Sequence, residues 1–236
     1  VRLVQPGTPV PELAGYAEGA WWVQDAAASL PARLLGAVDG SDVADLCAAP
    51  GGKTAQLANA GARVTAVDGS ANRLRRLAVN LERLGLSAEI VRADLATWRP
   101  ARLFDAVLLD APCSATGTLR RHPDIAWTKT PEDIARLAAA QRRLLDAASA
   151  LVRPGGRLVF SNCSLDPEEG EQLVAGFLGE RHDFNREPVG PAEFDGLEGL
   201  VNAHGDLRTT PADWPAEDPR WSGMDGFFAT RLRRTG

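Results

Sequence analysis

The chain has 236 residues, 44% of them hydrophobic and 24% charged, and 26 Lys+Arg against 31 Asp+Glu leave a net charge of −5. A chain of this length makes one large domain that can bury a core without disulfide or metal staples. No run approaches the ~18 apolar residues of a membrane span, no basic-then-apolar leader opens the chain, and three cysteines cannot build a disulfide framework, so a globular, monomeric protein of the reducing cytosol is expected.

The acidic balance argues against a generic nucleic-acid coat and leaves room for a local basic patch. Only Lys53 and Lys129 are lysines in an Arg-rich background. A lysine kept there suits a task for a compact ammonium that the planar guanidinium cannot perform. The sole Met is Met224 and the chain starts at Val1, so a further domain upstream is expected.

In chain order, residues 1–20 are rich in Pro and Gly and read as a linker or extended arm. Trp21–Leu35 reads as a helix starting near Asp25 and packing on the main unit, so residues 1–35 form an arm and packing helix ahead of that unit at 36–236. From Val43 onward, short apolar runs alternate with helical periods. Strands are predicted at Val43–Leu46, Arg63–Val67, Ala88–Arg92, Ala106–Leu109 and Arg157–Ser161. Leu74, Leu77, Leu81 and Leu84 share one helix face, as do Ile134, Leu137, Leu144, Leu145, Ala148 and Leu151. Thr130-Pro131-Glu132-Asp133 opens that second helix with a cap, a proline at N1 and acids in the first turn. Glu168–Leu178 is a third helix, residues 181–226 read as loop, and Gly226–Arg233 reads as a last strand pairing in a hairpin with an earlier one. Alternating units of this kind make an α/β fold, a mostly parallel sheet with helices on both faces. Ligands then sit at the carboxyl ends of the strands.

Those ends are chemically marked. Cys47-Ala48-Ala49-Pro50-Gly51-Gly52-Lys53-Thr54 follows the first strand, and its glycines and helix N-terminus let backbone N–H groups approach a ligand. Asp68, Asp94 and Asp110 follow the next three. An acid after the second strand suits ribose hydroxyls, and three carboxylates in one crevice suit a nucleoside better than a phosphate. A solitary Asp there is otherwise a cap or turn residue. Gly52-Lys53-Thr54 ends like a phosphate-binding P-loop, but the required glycine five positions before Gly52 is Cys47, so the cradle is incomplete. Cys113 and Cys163 lie in turns after the fourth and fifth strands, each beside serine. A cysteine is otherwise a small buried hydrophobe, and neither has His or Cys partners at metal-ligand spacing.

Asp45–Thr54, Asp110-Ala111-Pro112-Cys113-Ser114, Arg120-Arg121-His122-Pro123-Asp124-Ile125 and Cys163-Ser164-Leu165 with Pro167–Glu171 resemble the RsmB/Sun-type RNA (cytosine-5)-methyltransferases, from about Val23-Gln24-Asp25 to Asp225–Phe228. The resemblance implies a Rossmann-like S-adenosylmethionine-dependent methyltransferase fold with a seven-stranded sheet. It implies a cofactor over Cys47, Ala48, Ala49, Pro50, Gly51, Gly52 and Lys53, with Asp68 on the ribose, Asp94 near the adenine, Asp110 near the methionine end or the target base, and Arg73 nearby. Cys163 would be the nucleophile that adds to C6 of a flipped-out cytosine. Cys113 would assist proton loss and product release, and Lys53 would lower the thiol pKa or contact Asp110 or the base. Arg73, Arg120, Arg121 and Arg142 are candidates for phosphate contacts; each alone reads as surface charge. The implied partner is RNA, with no metal and no membrane: ribosomal (16S) RNA first, transfer RNA as the alternative. A P-loop nucleotidase and a catalytically silent RNA-binding module are rivals of other classes. One departure stands out. Asn162 replaces the usual Thr before the nucleophile, which implies altered local bonding and retained activity.

Overall fold

In the computed structural model, residues 8–190, 193, 198–218 and 221–236 are described; the first seven residues of the expected arm lie outside them. Among the described residues, the strands are β1 (Asp42–Leu46), β2 (Arg63–Asp68), β3 (Glu89–Arg92), β4 (Phe104–Asp110), β5 (Val152–Asn162), β6 (Phe184–Arg186), β7 (Leu207–Thr209) and β8 (Phe227–Arg234). Seven run in the order β3-β2-β1-β4-β5-β8-β6, and β7 pairs with β8 off this path. β1 to β5 are parallel and β8 is antiparallel to β5. The last strand pairs antiparallel with β7, the strand before it in the chain, as the hairpin reading expects, and it also lies between β5 and β6.

β1, β2, β4 and the second half of β5 are mostly buried, which is why they read as continuous apolar runs, whereas β3 at the sheet edge is largely exposed. Phe104, Val107 and Leu109 of β4 pack with Leu145, Ala148, Val174 and Phe177 on one side. Ala106 and Leu108 pack with Leu30, Leu34 and Leu57 on the other. Helices α2 (Gly52–Asn59), α3 (Ala71–Arg83), α5 (Pro131–Ser149) and α6 (Glu171–Glu180) supply these layers, with short α1 (Leu30–Arg33) and α4 (Ile125–Thr128). Leu74, Leu77 and Leu81 are the buried face of α3. Thr130 and Asp133 form a reciprocal capping box on α5, with Pro131 in its first turn.

Three expectations need correction. The helix over Trp21–Leu35 is only a 3-10 turn at Ala27–Ser29 followed by the single turn of α1. Asp25 Oδ1 accepts from the Ala27 N–H at 2.9 Å, Pro31 lacks a donor, and Gly36 ends the segment at φ +75°. The third helix starts at Glu171 and not at Glu168, because residues 167–170 form a turn that sends Glu169 inward. The stretch read as loop holds β6 and β7. The described part of the arm docks on the end of α3: the Arg83 guanidinium lies 3.9 Å over the Tyr16 ring and donates to Tyr16 O at 2.6 Å.

Candidate functional site

Register aligns the strand ends. Leu46 faces Val67 on one side and Leu109 on the other, and Asp110 faces Ser161. The residues at and just beyond these ends, Cys47, Asp68, Asp110 and the loop of Cys163, therefore emerge on one edge of the sheet. The Cys47 loop turns sharply: Cys47 has φ +58° and Gly51 φ +104°. A Cβ on Gly51 would also press on Leu77 Cγ at 3.0 Å, so close packing of the loop on α3 requires glycine there.

A cavity of about 620 Å³ opens beside that loop. Val67, Leu95 and Leu144 are apolar parts of its wall, and Asp68 and Asp94 stand in it. Asp68 is buried; its Oδ1 accepts from the Ser70 N–H at 2.9 Å and its Oδ2 lies 3.3 Å from Arg73. Asp94 is exposed and caps its own turn through the Ala96 N–H at 3.0 Å. Both acids thus fill local bonding roles as well as facing the cavity. A second cavity, of about 310 Å³, reaches from Trp22, Val23 and Gln24 past Gly52 to Asp45, Lys53 and Asp110. Gln24 is held there by hydrogen bonds from its amide to Gln56 Oε1 at 2.8 Å and from the Trp22 indole at 3.0 Å.

Lys53 Nζ is 2.7 Å from Asp110 Oδ2 and 5.1 Å from the centre of the Phe227 ring. Of its expected roles, the contact with Asp110 is formed and a lowering effect on the Cys163 thiol accompanies it. Ser161 Oγ donates to Asp110 Oδ1 at 3.1 Å. The sulfurs of Cys113 and Cys163 are 3.4 Å apart, and both cysteines are free and partly buried. The Cys113 S–H donating to Cys163 lowers the Cys163 thiol and Lys53 lowers it further, against burial and Asp110. The same bond, with burial, drives Cys113 well above the usual thiol range. The two cysteines are therefore unequal: Cys163 is the better thiolate and Cys113 the proton holder. Cys47, by contrast, is pushed up to about 12, first by burial and then by Asp110 and Asp68.

The arginines are mostly engaged within the chain. Arg73 donates to Ala49 O at 2.5 Å. Arg120 bridges Asp25 and Asp225, and Arg121 forks onto Asp225. Arg142 pairs with Asp146 and Glu180. Arg120 and Arg121 thus clasp the segments around the Cys163 loop. Several residues make contacts that the sequence did not signal. Asp45 is fully buried, accepts from Thr54 Oγ1 at 2.6 Å, and has Oδ1 unpartnered; burial raises it to about 7. Gly117 donates its N–H to Cys163 O at 2.9 Å and accepts from the Gly226 N–H at 2.8 Å. Asn162 uses its whole amide, Nδ2 donating twice and Oδ1 accepting once.

Among the described residues, no group of three or more His, Cys, Asp or Glu could hold a metal ion, and no helix is long and apolar enough to cross a membrane. A family model described as 16S rRNA methyltransferase RsmB/F matches residues 32–233. The chain is 45% identical over 205 residues to a ribosomal RNA small subunit methyltransferase B of Sodalis glossinidius, covering 85% of this chain and 47% of that protein. The chain spans about half the length of the curated relatives it matches. Among solved structures, the crystal structure of PH0851 superposes with a TM-score of 0.85 at 30% identity, covering 97% of this chain and 50% of that one. NSun6 from Pyrococcus horikoshii with SFG superposes with a TM-score of 0.81 at 29% identity, covering 97% and 57%.

Proposed function

Because the chain belongs to the RsmB/F family of 16S rRNA methyltransferases and has its Rossmann-like methyltransferase fold, we propose that it methylates C5 of a cytosine in ribosomal RNA, residues 36–236 being the catalytic unit and 1–35 its arm. The observation that carries this reading is the 3.4 Å contact between two cysteines of unequal acidity at the strand ends. A nucleotidase has no use for such a pair, and neither has a silent binding module.

The residues fit S-adenosylmethionine. The larger cavity joins an apolar wall for a purine to the carboxyls of Asp68 and Asp94 for ribose hydroxyls and an amino group. Cys47–Gly52 would border the donor, Arg73 would brace that loop through Ala49, and Asp110 would face the donor's other end or the base. When bound, the donor supplies a methyl group on a sulfonium. Cys163, as thiolate, adds to C6 of a cytosine swung out of its stack, and the electron pair displaced to C5 makes that carbon a nucleophile. After methyl transfer the C5 proton passes to water, the electron pair of that C–H bond re-forms the C5–C6 double bond, and Cys163 departs as thiolate. Cys113, in contact with that sulfur, assists the elimination. Lys53 and Asp110 line the smaller cavity, and Lys53 lowers the Cys163 thiol while Asp110 raises it, so a base held in that cavity would lie beside the groups that set the thiol.

The test is transfer of tritiated methyl from S-adenosylmethionine to unmodified 16S and transfer RNA, with bisulfite mapping of the product. One protected cytosine in 16S RNA is expected. Label confined to transfer RNA would select the alternative substrate, and ATP–Mg²⁺ binding without donor binding would reject the reading.

A further inference from the structure

A buried polar chain runs between the two cysteine loops and serves neither cavity. Glu169 is wholly buried. Its Oε1 accepts from the Ser114 N–H at 2.9 Å and from Gln141 Nε2 at 2.7 Å, and its Oε2 accepts from the Ser114 hydroxyl. Ser114 is the residue after Cys113. On the other loop, Asn162, the residue before Cys163, donates Nδ2 to Gln141 Oε1 at 3.0 Å and to the Glu169 carbonyl at 2.7 Å. Its Oδ1 accepts from the Ser164 N–H at 3.0 Å. The Ser114 and Ser164 hydroxyls lie 3.1 Å apart and close the ring. Glu169 therefore has the Cys113 loop on its side chain and the Cys163 loop on its main chain. Ser114, Gln141 and Asn162 are each 0% exposed and Ser164 1%. Polar groups buried this deeply are costly unless every partner is in place, so the ring is satisfied only when both loops sit in this register.

We propose that Glu169 is a positioning residue, holding the loops after β4 and β5 so that the sulfurs of Cys113 and Cys163 stay in contact. Its effect on turnover rests on the cytosine-methylating reading; its effect on the sulfurs does not. Acceptor geometry is what matters. In Glu169→Gln the amide oxygen still accepts from Ser114 N–H and Gln141, while the new NH₂ donates to Ser114 Oγ, whose proton turns to Ser164. In Glu169→Asp the side chain is one methylene short and cannot span Ser114 and Gln141 together.

The experiment is bridging of the two thiols by dibromobimane in the folded protein, the product located by mass spectrometry, with circular dichroism confirming the fold. The wild type and Glu169→Gln should bridge at similar rates and Glu169→Asp roughly tenfold slower. In methyl transfer, a displacement of about 1 Å is expected to lower kcat by ~100-fold in Glu169→Asp, with KM for donor and RNA nearly unchanged, and Glu169→Gln should restore it. If Glu169→Asp does not fold, Ser114→Ala keeps the backbone bond, removes the hydroxyl bond, and should bridge measurably more slowly. Equal bridging by the wild type and whichever of these weakened variants folds overturns the proposal. Bridging that depends on Glu169 in a protein that methylates no RNA would support the positioning role while rejecting the reaction.

Discussion

Lys53 sits where charge is needed most. Its ammonium meets Asp110 at 2.7 Å and lowers the Cys163 thiol. Lys53→Met keeps the length and removes the charge, so the alkylation of Cys163 by iodoacetamide should move to higher pH. An unmoved profile would exclude Lys53 from setting the thiol. Asp45 offers a second test at this scale. Its carboxyl rises from 3.8 to about 7 through burial, so it binds its proton more tightly folded than unfolded. The stability it contributes is full below about pH 4 and is lost as pH rises through about 7. Asp45→Asn mimics the protonated form. Urea unfolding should show it close to wild type below about pH 4 and increasingly more stable than wild type as pH rises to about 7; the reverse order would refute a raised carboxyl. The motif includes Asp45 but not its raised carboxyl, because that acidity depends on a surrounding assembled only by the fold.

Among the elements, close approach of the loops carries most of the constraint. A Cβ on Gly117 would collide with Gly226 O and stand 2.8 Å from Cys163 O. Gly117→Ala should therefore cost about 1–3 kcal/mol in urea unfolding and slow the chemistry; unchanged stability would mean that the loops are free to part. The strand ends and the α5 cap were readable in the sequence because each depends on neighbours in the chain: an apolar run, a hydroxyl, a proline, an acid. The Glu169 ring, the pairing of Arg120 and Arg121 with Asp25 and Asp225, and the three-residue strands β6 and β7 were not. Their partners lie far along the chain, 55 residues from Glu169 to Ser114 and 104 from Arg121 to Asp225, and no periodicity announces them. Asn162 was legible as a departure; the three hydrogen bonds of its amide were not.

Across the whole molecule, the N-terminal packing segment and the last strand are fastened by Arg231 of β8. It is 5% exposed, donates to Leu34 O at 3.3 Å and Pro188 O at 2.9 Å, and pairs with Glu193 at 2.7 Å, which holds that carboxyl down at about 2. Arg231→Met takes the guanidinium from Glu193 and from the carbonyls of Leu34, Glu187 and Pro188, and a loss of about 1–3 kcal/mol in urea unfolding is expected. A loss under ~1 kcal/mol would show the clamp to be ornamental. The same sheet that this clamp closes brings two loops, 50 residues apart in sequence, to a 3.4 Å sulfur contact, and the functional account stands on that contact. It is tested most directly by incubating Cys113→Ala and Cys163→Ala separately with 16S RNA and S-adenosylmethionine, then resolving them on a denaturing gel. Cys113→Ala should accumulate a protein–RNA band that survives denaturant, and Cys163→Ala should form none and transfer no methyl. An adduct in Cys163→Ala, or full methyl transfer by either variant, would contradict the division of attack and release between the two sulfurs.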